Sequence, residues 1–166
     1  FFGELEENTS ISILTTDSEH SAIKEYLESV TNKPSVNLIY IQEDLSHIFE
    51  INAALARNEL VVITGDRYVK GSKYLTEDLL DQLAKFPAGP FMLASRLSVP
   101  VLFVYVMKET STHYHLFTRQ AKAKHRDAKA LLQEYVSSVT WMLNKYPLQW
   151  FNYFDFWEIF DKKYQK

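Results

Sequence analysis

The sequence contains no cysteine, only four glycines and five prolines, and no long apolar run. The absence of cysteine excludes disulfides, thiol nucleophiles and cysteine-ligated metal sites, and it fits a reducing compartment. No segment approaches the roughly 18 consecutive apolar residues that a membrane-spanning helix needs. Residues 1–7 have neither the basic start nor the long apolar centre of a signal peptide. They also lack an initiator Met, and their pattern is that of the middle of a secondary-structure element. We therefore expect the chain to be a fragment of a longer protein.

The 166 residues are enough for one domain with a substantial core, and we expect a single domain over residues 1–166. Hydrophobic residues make up 46% and charged residues 23%, as is usual for a globular protein. The net charge of −3 argues against nucleic acid as the main partner.

Strands and helices alternate in the first part of the predicted pattern. Strands are predicted at 11–15, 36–41 and 60–64, with a helix at about 17–31 and a second helix capped by Asp44. Apolar residues of the second helix are expected on one face, namely Leu45, Ile48, Phe49 and Leu55. This β-α-β-α-β order implies parallel strands covered by helices on both faces.

The second part predicts a turn at 86–90 and a short helix from Pro90 to Leu97. Strands at 99–106 and 113–118 are expected to pair antiparallel across a polar turn. A long amphipathic helix at about 127–146 ends at Pro147. The predicted fold class is α/β, with a mixed, mostly parallel sheet flanked by helices.

The apolar run Leu-Val-Val-Ile-Thr at 60–64 ends in Gly65, Asp66 and Arg67. Open α/β sheets bind ligands at the carboxyl ends of their strands. An arginine offers a planar fork to a phosphate or carboxylate, and an adjacent aspartate can hold that fork or a substrate hydroxyl. The alternative is an ordinary strand end carrying a surface ion pair.

The segment Phe-Pro-Ala-Gly-Pro at 86–90 is the second half of this candidate site. A helix that begins at Gly89 and Pro90 offers free N–H groups to an anion. The candidate substrate-binding residues are therefore Asp66, Arg67, Phe86, Pro87 and Gly89.

The aromatic tail at 147–157 and a basic run are further candidates. The tail either folds back into the core or presents aromatic rings to an acyl groove or a membrane interface. The basic run is either a solvated loop or a dock for an acidic partner or anionic lipid head groups. It lacks the interleaved aromatics of a nucleic-acid surface, and it consists of Arg119, Lys122, Lys124, Arg126 and Lys129.

The five histidines give no recognisable catalytic triad. His113 and His115 share one strand face, but no third metal ligand follows at a telling spacing, so we expect polar surface residues. We expect His20, His47 and His125 on helix surfaces. No metal site, cofactor or catalytic residue is predicted within the chain.

Four segments together resemble one family: residues 60–67, 85–94, 99–101 and 147–157. They are similar to the lysophospholipid acyltransferase superfamily, in the branch related to bacterial lipid A biosynthesis (lauroyl and myristoyl) acyltransferases. The resemblance covers most of the chain from about residue 50 onward. It implies transfer of a fatty acyl group from acyl carrier protein or coenzyme A to a hydroxyl or amine of a lipid-type acceptor.

In that family a histidine, followed five positions on by an acid, is the general base. This chain departs from the pattern: His20 is followed by Glu25 inside a predicted helix, and His47 by Asn52. We therefore expect the motif upstream of Phe1 and the chain alone to be inactive.

The resemblance implies that Asp66 and Arg67 line the substrate edge and that the basic run docks acyl carrier protein. It also implies a cytoplasmic protein peripheral to the inner membrane. The main alternative is a non-catalytic lipid- or partner-binding module. A phosphate-ester hydrolase using Asp66 is disfavoured, since no further carboxylates cluster there to hold a metal.

Overall fold

The computed structural model describes residues 10–15, 36–42, 44–153 and 156–157. The helix predicted at 17–31 lies outside these residues. The described elements, in chain order, are β1 (Ile11–Thr15), β2 (Val36–Tyr40), α1 (His47–Ala56), β3 (Leu60–Val62), β4 (Tyr74–Leu79), β5 (Gln82–Pro87), α2 (Ala88–Arg96), β6 (Leu102–Lys108), β7 (Tyr114–Gln120), α3 (Ala128–Lys145) and a 3₁₀ turn (Pro147–Gln149). The chain divides into two compact units, residues 1–64 and 65–166.

The first unit contains a parallel sheet in the order β2-β1-β3. Ile11 lies opposite both Val36 and Leu60, so the central strand is paired on each side. Ser12 on that strand is buried, and its hydroxyl donates to Glu59 Oε2 at 2.6 Å. The predicted parallel pairing is confirmed for these three strands, although β3 ends at Val62, two residues earlier than predicted.

Helix α1 buries a different face from the one predicted. Its buried residues are His47, Ile51 and Ala54, spaced as one stripe of a helix, while Phe49 is 80% exposed. His47 is therefore not a surface residue, and its Nδ1 accepts a hydrogen bond from the Gln42 N–H at 3.2 Å. Before the helix, the Asp44 carboxylate accepts the Ser46 N–H at 2.9 Å, which lowers the pKa of Asp44.

The second unit begins with the β4–β5 hairpin, which was not predicted. Its turn residues Leu80 and Asp81 both have positive φ, at 53° and 64°. Two-residue turns of this kind normally use Asn-Gly, so Leu-Asp gives no turn signal. The turn predicted at 86–90 is wrong, because Phe86 and Pro87 complete β5 and α2 begins directly at Ala88.

The antiparallel pairing of β6 with β7 is confirmed, with Tyr105 opposite Phe117. The long helix is also confirmed as α3, and its Asp127 cap accepts the Ala130 N–H at 2.9 Å. The main core cluster of the second unit's described residues lies among these elements, and it contains Leu79, Ala84, Phe86, Phe91, Phe103, Leu131, Leu132, Val136 and Phe156.

The described residues therefore form a mixed α/β protein with both parallel and antiparallel strand pairs. The predominance of parallel strands stays a prediction. In the part of the chain that the structure describes, no helix combines the length and hydropathy needed to cross a membrane.

Candidate functional site

Gly65 brings the two halves of the candidate site together in the second unit. A Cβ atom at Gly65 would lie 3.3 Å from Phe91 Cζ and 3.9 Å from Pro90 Cβ. The backbone of the Gly-Asp-Arg segment therefore packs against the first turn of α2. This close approach requires a residue without a side chain or with a very small one. Two motifs that are separate in sequence thus form one continuous edge, called here the Gly65 edge (Gly65, Asp66, Arg67, Gly89 and Pro90).

Asp66 and Arg67 form a long, solvated ion pair on the Gly65 edge. Arg67 Nε lies 3.8 Å from Asp66 Oδ2, and the two side chains are 65% and 46% exposed. A pair this open contributes less than about 1 kcal/mol to stability. The guanidinium fork is consequently reachable by a carboxylate or phosphate, which it binds through two parallel hydrogen bonds.

The carboxylate of Asp66 interacts electrostatically with Tyr135, a residue that packs against the core of the second unit. Burial raises the pKa of the Tyr135 phenol, and the negative charge of Asp66 raises it further. The Tyr135 ring packs against Phe86, Phe91 and Phe103, with ring centroids 5.4 to 6.3 Å apart. Phe91, which contacts both Gly65 and Tyr135, therefore connects the Gly65 edge to this aromatic cluster. Tyr135 was not singled out as a site residue from the sequence, where it belongs to the apolar face of the amphipathic helix predicted at about 127–146.

The predicted residues of the 86–90 segment have three different environments. Phe86 is fully buried and packs on Tyr135 and Phe156, so its side chain is part of the core beneath the surface. Pro87 is half-buried. Gly89 is exposed, with open space around the position of a Cβ.

The first turn of α2 has fewer free N–H groups for binding an anion than predicted. The Ala88 N–H donates to Lys73 O at 3.0 Å, and Pro90 has no N–H. Only the Gly89 N–H remains at the first turn. Anion binding at this edge therefore depends mainly on Arg67.

The basic run forms an exposed surface in the second unit. Lys122, Lys124, Arg126 and Lys129 are all exposed and make no ion pair within the described residues. Arg119 differs, because its guanidinium lies over the Trp141 ring, 5.5 Å from the centroid. The arrangement fits both a solvated loop and a dock for an acidic partner.

The four described histidines have different surroundings. His115 stacks on Phe117 with ring centroids 4.0 Å apart, and its Nδ1 lies 3.1 Å from Glu109 Oε1. His113 and His125 are exposed, and His47 is buried in the first unit. The described part of the chain contains no group of three His, Asp or Glu residues that could hold a metal ion. His20 lies outside the described residues.

The tail divides its aromatic residues between the core and the surface. Phe156 is buried, and Trp157 Nε1 donates to Leu79 O at 3.1 Å. Three large side chains of the same segment face outward: Leu148 is 91% exposed, Phe151 73% and Tyr153 94%. The prediction that the tail folds back is confirmed for Phe156 and Trp157, while the exposed side chains leave an outward apolar surface.

A cavity of about 340 Å³ lies at the opposite end of α2, and it was not predicted. It is called here the α2 cavity. Its apolar wall comes from α2, from the segment before β6, from the loop after β7 and from α3; the residues are Ala94, Leu97, Val99, Val101, Ala121 and Leu131. The cavity exists partly because several of its lining residues are alanines, whose side chains are small. A sequence does not indicate a cavity through alanines in a helix and a loop, because alanine is common in both.

The chain matches no protein-family model. It also has no significant match among curated proteins. The function is therefore inferred from the geometry of the Gly65 edge and from the motifs themselves.

Proposed function

We propose that this chain is the substrate-binding part of an acyltransferase. The reaction moves a fatty acyl group from an acyl thioester, on acyl carrier protein or coenzyme A, to a hydroxyl or amine of a lipid-type acceptor. The main support is the contact of Gly65 with Phe91 and Pro90, because it joins the two central motifs of the resemblance into one edge. An edge with an exposed guanidinium beside a carboxylate suits a phosphorylated or carbonyl-bearing substrate.

Arg67 has two possible tasks in this reaction. It can bind a phosphate of the acceptor, or it can stabilise the negative charge that develops on the thioester oxygen. The loose contact with Asp66, at 3.8 Å, leaves the guanidinium free for either task. In this proposal Asp66 orients Arg67 or accepts a hydrogen bond from the acceptor.

The proposed chemistry needs a general base that takes the proton of the acceptor. The acceptor oxygen or nitrogen then attacks the thioester carbon, the carbon–sulfur bond breaks, and the thiolate leaves and takes up a proton. No histidine of the chain shows the family's His-acid spacing at the start of a helix after a strand, so in this proposal the base comes from a His-acid motif that precedes Phe1 in the parent protein. The chain alone is then inactive.

The proposal also includes the setting of the intact protein. Its domain has a mostly parallel sheet flanked by helices, and it works at the cytoplasmic face of the inner membrane. The basic run is the proposed dock for acyl carrier protein, since the side chains of Lys122, Lys124 and Arg126 are exposed and form no ion pair within the described residues.

A non-catalytic lipid- or partner-binding module is the second candidate. The exposed Leu148, Phe151 and Tyr153 favour it, because large apolar side chains in water indicate a binding surface. This candidate predicts binding of a lipid or partner by the parent protein without any acyl transfer.

An acyl-transfer assay on the parent protein separates the two candidates. The donor is labelled acyl carrier protein or acyl coenzyme A, and the acceptor is a lipid extract. Arg67→Ala is expected to lower kcat/KM at least about tenfold, the effect of losing one charge-assisted contact in a transition state. The same change should cost less than about 1 kcal/mol of unfolding free energy, because the ion pair is solvated.

Arg96→Ala is the matched control, since it removes an exposed arginine at the other end of α2. We expect it to leave kcat/KM within about twofold of the wild type, an effect below 0.5 kcal/mol. Equal losses of activity and stability in Arg67→Ala would contradict the role given to Arg67. Absence of transfer by the parent, together with binding of the same lipids, would favour the non-catalytic module.

A further inference from the structure

The α2 cavity combines an apolar wall with a cationic mouth. Leu131 at its base is 3% exposed, and Ala94, Val101 and Ala121 are half-buried. Its volume of about 340 Å³ is at the lower end of the range for small-molecule pockets, roughly 300–1,000 Å³. The space therefore suits a single short aliphatic chain better than a bulky ligand.

Lys124 and His125 line the open side of the same cavity. Both are exposed, and Lys124 forms no ion pair within the described residues. None of the residues that line the cavity carries a carboxylate. A ligand with a negative end can therefore meet a cation at the mouth without displacing an internal partner.

The loop that carries Lys124 is held firmly against α2. The Arg126 N–H donates to Ser95 O at 2.7 Å, and Asp127 N–H donates to Lys124 O at 3.0 Å. Arg126 itself has φ of 66°, a conformation that costs free energy for a residue other than glycine. These contacts hold the backbone of Lys124 beside the cavity.

We propose that the α2 cavity binds a single-chain amphiphilic anion. Its aliphatic chain lies among Ala94, Val101 and Leu131, and its carboxylate or phosphate lies at Lys124. The apolar wall accounts for binding of the aliphatic chain, and the Lys124 ammonium group, which forms no ion pair within the described residues, accounts for binding of the anion. This inference goes beyond the proposed acyl transfer, because it concerns another end of α2 and is tested by binding alone.

Nuclear magnetic resonance titration of the chain tests the proposal, with octanoate and octyl phosphate as probes. We expect saturable shifts of the backbone amides at 94–101 and 121–125. The neutral probe octanol and inorganic phosphate should each bind at least about tenfold more weakly, since each offers only half of the recognised chemistry. Comparison of octanoate with octyl phosphate decides whether the bound anion is a carboxylate or a phosphate.

Two variants locate the site on the protein. Lys124→Met keeps the side-chain length, removes the charge, and should weaken binding of both anionic probes about tenfold. Val99→Glu adds a carboxylate at an exposed wall position and should abolish their binding without a change in the core. The control Lys129→Met removes an equal charge outside the cavity and should change affinity less than about twofold.

Three results would overturn the proposal. The first is octanol binding as tightly as octanoate, which would leave the cation without a role. The second is equal weakening by Lys124→Met and Lys129→Met, which would indicate general attraction to the basic run. The third is a set of shifts confined to residues outside 94–101 and 121–125. Survival of the Val99→Glu fold is checked from its amide spectrum.

Discussion

The side chain of Gln149 makes two hydrogen bonds with the backbone of Lys108, 41 residues earlier in the chain. The Lys108 N–H donates to Gln149 Oε1 at 2.8 Å, and Gln149 Nε2 donates to Lys108 O at 2.7 Å. The amide group thus pairs with β6 as a neighbouring strand would. It closes part of an edge that would otherwise offer unpaired backbone groups to another chain.

Replacing Gln149 by alanine should lower the unfolding free energy by about 1–2 kcal/mol, since two solvent-accessible hydrogen bonds are lost. Gln149→Glu should lose about half as much, because a carboxylate still accepts the Lys108 N–H but cannot donate to Lys108 O. Urea unfolding measures both changes. Leu148→Ala is the control, and at 91% exposure it should change stability by less than about 0.5 kcal/mol.

Glu59 makes the first unit sensitive to acid. The Arg57 guanidinium, 2.7 Å from its carboxylate, and the Ser12 hydroxyl lower the pKa of Glu59 from 4.5 to about 2. A depressed pKa means that this stabilisation is complete above about pH 4.5 and is lost as the pH falls towards 2. The protection factors of the β1 amides, which correct the measured exchange rates for the intrinsic effect of pH, should therefore fall over this range in the wild type.

The Glu59→Gln variant should lose most of that pH dependence. Its β1 amides should exchange faster than those of the wild type at neutral pH. Glu50→Gln serves as the control, because Glu50 is an exposed residue on α1. It should keep the wild-type pH profile. An unchanged profile in Glu59→Gln would mean that other carboxylates control the acid response of β1.

Tyr135 makes the second unit sensitive to alkaline pH, whereas Glu59 makes the first unit sensitive to acid. Burial, helped by the charge of Asp66, raises the pKa of Tyr135 above its ordinary 10.0. Stability from a raised pKa is complete below the unfolded pKa and is lost as the pH rises above it. The unfolding free energy should therefore fall above about pH 10, and Tyr135→Phe should make that fall shallower. Tyr153→Phe, at a site 94% exposed, should follow the wild type.

Periodic segments were predicted well because their own side chains decide their structure. The parallel pairing of β1 with β2 and β3 was predicted from the alternation of strand and helix patterns, and α3 was predicted from its apolar stripe. The antiparallel pairing of β6 with β7 follows from two strand patterns around a polar turn. These features need no information about distant neighbours.

Features that depend on tertiary contacts were missed. The β4–β5 turn places Leu80 at positive φ, which its residue type does not indicate. Phe86 lies in the core instead of lining the edge, because β5 continues through Pro87 before α2 begins. The sequence placed both motifs in one candidate site, but the specific contact between Gly65 and Phe91 depends on packing across elements and was not predicted.

The fit of Gly65 against Phe91 can be tested by a change and its compensation. Gly65→Val should lower the unfolding free energy by about 1–3 kcal/mol, because its side chain would crowd Phe91 Cζ, already 3.3 Å from a Cβ position. Phe91→Leu removes that atom, and the double variant should recover at least about 0.5 kcal/mol of coupling energy. Gly89→Val is the control, since nothing lies within 4 Å of its Cβ position.

The same pair links packing to the proposed reaction. Because Gly65 precedes Asp66 and Arg67, displacement of its backbone should move both side chains, so Gly65→Val in the parent protein should reduce acyl transfer. Phe91→Leu in that background should restore transfer and stability together, as measured by kcat/KM and urea unfolding. Recovery of stability without any recovery of transfer would show that the packing of Gly65 against Phe91 does not control the acyl-transfer reaction.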